Sequence, residues 1–144
     1  MELLIQYTLL YASVLILVAL GGCFSEHSGV INLGLEGIMV IGALGGALTM
    51  SVIQKSFPDA SAFPVIISVV LVAVIFGIIY SLLLAVACVN FNADQTIIGT
   101  ALNILGVALA TVIVKAINTA ADPNNVSSVV EYINAKKAFI INAG

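Results

Sequence analysis

Charge is what this chain has least of. Its 144 residues include no arginine and only four lysines (Lys55, Lys115, Lys136, Lys137), set against seven acids (Glu2, Glu26, Glu36, Asp59, Asp94, Asp122, Glu131), for a net charge of −3. Charged residues make up 8% of the chain, against roughly 25% in a soluble domain, too few to build a water-facing surface. The shortage of cations also excludes a basic patch for nucleic acid. Cysteine is scarce as well: Cys23 and Cys88 stand at the ends of apolar segments with neither CxxC nor His/Cys metal spacing, and both read as small apolar residues. Catalytic signatures are missing too, with no GxSxG, no HExxH, no GxxxxGK[ST] and no Ser/His/Asp grouping. The chain therefore does not read as an enzyme, calls for no metal or cofactor, and would draw the energy for any active transport from another chain.

Apolar sequence is what remains: 62% of the residues are hydrophobic, and the mean hydropathy is strongly positive. Such a composition belongs to an integral membrane protein, with lipid as its solvent. Four apolar segments lie near residues 3–21, 30–53, 63–89 and 96–117, each near or above the roughly 20 residues that a helix needs to cross the hydrocarbon core. The runs do not alternate in polarity as barrel strands would. The fold class is all-α, a polytopic transmembrane helix bundle. The breaks GGCFSEHSG, QKSFPDASAFP, NFNADQ and NTAADPNN read as short connections. The first segment lacks the positively charged leader of a secretory signal and is followed at once by another apolar run, so it reads as a retained span.

Small residues are spaced for close helix approach. Gly42 and Gly46 form a GxxxG with Ala43 and Ala47 beside them, and Gly99, Asn103, Gly106 and Ala110 fall at helical spacing as one small and polar stripe. Gly42, Gly46, Gly99 and Gly106 are therefore helix-packing candidates.

A few polar groups sit where lipid would penalise them. If the second helix starts near Gly29, Asn32 and Glu36 share one face that Ala43 and Ala47 continue. An ionised carboxylate at mid-bilayer costs roughly 2.5–3.5 kcal/mol, which favours a cavity or another helix beside Glu36. The competing account places Glu36 near the interface, where the helix dipole and snorkelling reduce the cost. Asn103, inside an apolar span, needs hydrogen-bond partners, either holding helices together or lining a pathway. Asn32, Glu36 and Asn103 are the substrate-pathway candidates. Asp94 and Gln95 read as a cap that opens the fourth helix. His27, in the SEHSG turn, reads as a solvated loop residue rather than a proton relay.

Beyond Pro123 the sequence is more polar, and Val126, Val129, Val130, Ile133, Ile140 and Ile141 follow a helical period loosely. A short carboxy-terminal amphipathic segment, interfacial or cavity-facing, is expected there, with a disordered tail as the alternative. The apolar ending AFIINAG lacks a charged flank, so residues 1–144 are expected to form a single transmembrane permease region of a truncated chain.

The stretch GGCFSEHSGVINLGLEGIMVIGAL resembles the permease family of ABC importers for nucleosides and simple sugars, related to the branched-chain amino acid and ribose permeases. A second stretch, NADQTIIGTALNIL at residues 92–105, resembles the family segment that opens a later helix with a polar Asn/Gln pair and returns to an Ala-Leu-Asn. The likeness covers most of residues 3–118 and suggests the amino-terminal half of such a permease, family members being about twice as long. It implies a subunit that carries a nucleoside or simple sugar across the cytoplasmic membrane. Its implied partners are a second permease subunit, a cytoplasmic ATP-binding subunit and an extracytoplasmic substrate-binding lipoprotein. By the same resemblance, Asn32, Glu36 and Asn103 lie beside a pathway between two permeases.

One departure concerns orientation. Family members commonly carry basic residues before the NADQ-like segment, where this chain has CVNFN at 88–92. All four lysines fall on the side of the amino terminus, which the positive-inside rule places in the cytoplasm. The resemblance implies the opposite, with the SEHSG turn and the NFNADQ loop inward, and that is the orientation expected. Two other classes of function fit the residues: a non-transporting membrane scaffold that oligomerises through its glycine stripes, and a small proton-coupled transporter centred on Glu36 and His27.

Overall fold

Long runs of Leu, Ile, Val and Ala leave the backbone one economical way to satisfy its N–H and C=O groups away from water, the helix. The computed structural model describes residues 2–29, 31–57 and 61–130, and in them the chain forms four helices: α1 (Glu2–His27), α2 (Leu35–Ser56), α3 (Ala62–Asn90) and α4 (Gln95–Ala121). All four are long and apolar enough to cross a membrane. There is no strand among the described residues. Pro64 is the third residue of α3, in the first turn, where a missing N–H costs the helix nothing.

Two boundaries differ from the sequence reading. The first span does not stop at Gly21 but runs on to His27, so Glu26 and His27 occupy its last turn rather than a loop. The stop comes at Gly29, whose φ of +84° only glycine adopts freely. Ser28 and Gly29 there donate their N–H groups back to Ser25 O and Glu26 O, each at 3.0 Å. The second helix starts at Leu35, not near Gly29. Asn32 lies in the turn before it, because its Oδ1 accepts the Gly34 N–H at 3.0 Å, a local bond that competes with helix formation.

α2 is the central element. It runs antiparallel to α3, with the missing side chains of Gly42 and Gly46 facing Ala73 and Val69, while Gly77 of α3 faces Ile38. The pairs 38/77, 42/73 and 46/69 each step by four residues, one row of one helix lying along one row of the other. Against α4 it runs parallel: Gly99 meets Leu33 and Gly34, and Gly106 meets Gly37. The buried cluster gathers Ile41, Leu44, Tyr80, Leu84, Leu102 and Val114. α1 comes beside α2 at Gly22 and Leu35, but no described side chain of α1 is buried.

The chain after α4 is not helical as far as Val130, contrary to the expectation for Val126, Val129 and Val130. Side chains there serve the backbone locally: Asp122 Oδ1 accepts from Asn124 N, Asn125 Oδ1 from Ser127 N, and Ser127 Oγ from Val129 N. Such turns offer the backbone an alternative to the helical ladder. Ile133, Ile140, Ile141, Glu131, Lys136 and Lys137 lie outside the described residues.

Candidate functional site

The first turn of a helix leaves N–H groups without intrahelical partners, and a side chain at the N-cap usually meets one of them. At α2 the N-cap is Gly34, which has no side chain to offer. The donor is met from another helix. Asn103 of α4 accepts the Gly37 N–H on Oδ1 at 2.8 Å, and its Nδ2 donates to Leu33 O, also at 2.8 Å. One amide thus holds the two ends of the Leu33–Gly37 turn.

That contact requires the backbones to be close, and glycine provides the room. A Cβ on Gly37 would stand 2.6 Å from Leu102 O, and one on Gly106 would stand 2.9 Å from Gly37 Cα, both inside any normal separation. Gly99 lies two turns before Gly106, with Leu33 Cβ 2.9 Å from where its side chain would begin. The α3 side is as close at Gly45, whose Cβ would fall 2.6 Å from the Phe76 ring. Tyr80 adds a tie between α3 and α4 by donating its hydroxyl to Leu102 O at 2.7 Å.

A second link joins the two loops at this end of the bundle. Asp94 caps α4, Oδ1 accepting from Thr96 N at 2.8 Å and Ile97 N at 3.3 Å. Gln95 turns away from α4 and accepts the Ile31 N–H on Oε1 at 2.7 Å. Asn92 takes the left-handed conformation in the same loop, φ 49°, which asparagine tolerates better than most residues.

Glu36 is the second residue of α2, nearly two turns nearer the helix end than a start near Gly29 would place it. Its carboxylate sits where the positive end of the helix dipole favours an anion. The residue is exposed and lines an open groove with Asn103, Ile104, Val107 and Ala108 of α4. Glu36 and Asn103 are therefore brought together across α2 and α4, while Asn32 stands in the preceding turn. Gly42 and Gly46 face α3, and Gly99 and Gly106 face the start of α2. His27 is distant in role: its Nδ1 lies 2.9 Å from Cys23 O within α1. Cys23 and Cys88 are both free thiols. No cluster of metal-ligating side chains occurs among the described residues.

Sequence reasoning missed Gly34, Gly37, Tyr80 and Asn118. Tyr80 could have been found, since a phenol in the middle of the most apolar run must place its hydroxyl on something. Asn118 continues the α4 stripe of Asn103, Gly106, Ala110 and Val114 by one more turn. It is 4% exposed, and its Nδ2 donates to Ser127 O at 2.9 Å and Val129 O at 2.8 Å, tying the segment after α4 back onto the bundle.

Comparison with known proteins adds to this geometry. The family model described as branched-chain amino acid transport system, permease component, matches residues 4–143. The guanosine ABC transporter permease protein NupQ of Bacillus subtilis (strain 168) is 40% identical over 117 residues, which are 81% of this chain and 35% of that protein. The nucleoside ABC transporter permease protein NupC of Lactococcus lactis subsp. cremoris is 37% identical over 109 residues, 76% of this chain and 33% of that protein. The matched residues thus span about a third of the length of these curated relatives. No solved structure matches.

Proposed function

The chain belongs to the family of branched-chain amino acid transport system permease components, and from that premise we propose that it is part of the permease subunit of an ABC importer carrying a nucleoside or simple sugar. It is an integral, multi-pass membrane protein, and residues 1–144 act as one transmembrane region of that subunit. The observation that carries the reading is the likeness, over most of this chain, to permeases named for guanosine and for nucleosides. The groove between α2 and α4 supports it, because a carboxylate held beside apolar helices suits a path for polar cargo. Glu36, with Asn32 and Asn103 around it, forms the polar lining of the path.

The chain itself contributes no ATP-hydrolysing motif, so a cytoplasmic ATP-binding subunit supplies the energy. A second permease subunit completes the pathway, and an extracytoplasmic substrate-binding lipoprotein delivers cargo. The test is reconstitution of the assembled transporter containing this chain in vesicles. Uptake of guanosine or a simple sugar that requires ATP and survives an uncoupler is the expected result. A well-assembled complex that moves nothing from a broad nucleoside and sugar panel would overturn the proposal. Uptake that an uncoupler abolishes while ATP is maintained would replace it with proton coupling.

A further inference from the structure

Of the three polar side chains at the start of α2, two are committed to backbone. Asn32 Oδ1 holds Gly34 N–H at 3.0 Å. Asn103 holds Gly37 N–H and Leu33 O, each at 2.8 Å. Glu36 differs from both: it is exposed, and it has no hydrogen bond or ion pair among the described residues. In sequence it lies between the two groups that Asn103 grips. The clamp therefore fixes a single turn of chain at both ends, and with it the direction in which the Glu36 side chain leaves the helix.

We propose that Asn103 is a positioning residue for transport, acting through Glu36 by aiming that carboxylate into the groove it shares with Ile104, Val107 and Ala108, while Glu36 makes the cargo contact. The inference rests on the importer reading above, in which cargo brings hydroxyl or N–H donors that a carboxylate accepts. It divides the polar trio by role. Glu36 meets cargo, and Asn103 keeps it pointed at cargo although α2 has no cap of its own.

A cap that served folding alone would change the amount of assembled transporter and leave its affinity for cargo untouched. The clamp predicts a different pattern, readable in a double-mutant cycle. In the complete transporter reconstituted in vesicles, with radiolabelled guanosine as the probe, Glu36→Gln raises KM about tenfold, the scale of one hydrogen bond to a charged group. Asn103→Ala raises KM severalfold. The double variant is no worse than Glu36→Gln alone, because the clamp then has nothing left to aim. Tyr80→Phe, which loosens α3 from α4 next to the clamp, lowers the amount of assembled transporter and leaves KM where it was, with or without Glu36→Gln. If Asn103→Ala fails to assemble, Asn103→Asp, which keeps the acceptor for Gly37 N–H, enters the same cycle. KM increases that multiply in the Asn103/Glu36 double variant, or an Asn103→Ala transporter of unchanged KM, would overturn the proposal.

A second arm does not depend on cargo. With Cys23 and Cys88 replaced by serine, the rate at which N-ethylmaleimide labels the Glu36→Cys protein changes severalfold when Asn103→Ala is added, and labelling of Ile104→Cys does not change. Equal rates at position 36 with and without the clamp would count against it. If the parent transporter imports no nucleoside or sugar and the labelling shift is present, the importer reading has failed and the clamp stands. If import is normal and both the cycle and the labelling are flat, the clamp is wrong and the importer reading stands.

Discussion

Gly37 and Gly106 meet backbone to backbone, so that a Cβ on Gly106 would lie 2.9 Å from Gly37 Cα and 3.0 Å from Gly37 O. No flexible side chain is available there to move aside. Gly37→Ala and Gly106→Ala must therefore push α2 away from α4, at about 1–3 kcal/mol for an overpacked contact, and stretch the bonds of Asn103 as they do so. Gly21→Ala is the control, because nothing lies within 4 Å of its added atom. Graded SDS unfolding of the purified protein in detergent should show lower midpoints for the first two variants and the parent midpoint for the third. Equal midpoints for all three would mean that α2 and α4 are not this close.

Tyr80 is 5% exposed and has two jobs that substitution can separate. Tyr80→Phe removes the bond to Leu102 O at 2.7 Å and keeps the ring. Leu102 O retains its helical partner, so the loss should be about 0.5–1.5 kcal/mol. Tyr80→Ala also removes the ring from the cluster of Ile41, Leu44 and Leu84, for about 3–5 kcal/mol by analogy with other aromatic truncations. The same unfolding measurement checks both. A phenylalanine variant as unstable as the alanine variant would contradict this division.

The spans were legible because lipid imposes one rule on long apolar runs, and that rule does not depend on neighbours. What the sequence left open was pairing and local ends. Gly42 and Gly46 announce close approach but do not say to which helix; α3 takes them, while Gly99 and Gly106 of α4 meet the turn and first residues of α2. The polar residues Ser25, Glu26 and His27 looked like a loop, yet an exposed last turn of helix accepts them equally well, and the stop is set by Gly29. Asn32 and Glu36 share a helical spacing that the Asn32–Gly34 bond cancels. The role of Asn103 was half legible: an amide inside an apolar span needs partners, but that its partners are the ends of the Glu36 turn follows only from the parallel packing of α2 on α4.

At the loop before α4, Asp94 gathers two N–H groups of the first turn, and Gln95 next to it holds Ile31 N at 2.7 Å. Asp94→Ala should cost about 1 kcal/mol, the usual value of an N-cap, and Asp94→Asn should recover most of it. Hydrogen exchange of the Thr96 and Ile97 amides should quicken in the alanine variant and return towards the parent rate in the asparagine variant. An alanine variant with parent-like exchange would show that water serves this helix end as well as the carboxylate does.

Asn118 tests whether the segment after α4 is held from the bundle or by itself. Both of the bonds donated by its Nδ2, to Ser127 O at 2.9 Å and Val129 O at 2.8 Å, leave from a side chain that is 4% exposed, and Val130 packs on the buried cluster beside it. Asn118→Leu keeps the branched shape and removes the donors. The two carbonyls then find water, so the cost to the whole protein is small, but the segment loses its anchor. Hydrogen exchange across residues 122–130 should therefore accelerate severalfold while the middle of α4 keeps its protection. If the segment exchanges at the parent rate, the local turns of Asp122, Asn125 and Ser127 suffice to order it, and the buried amide serves only the packing of α4.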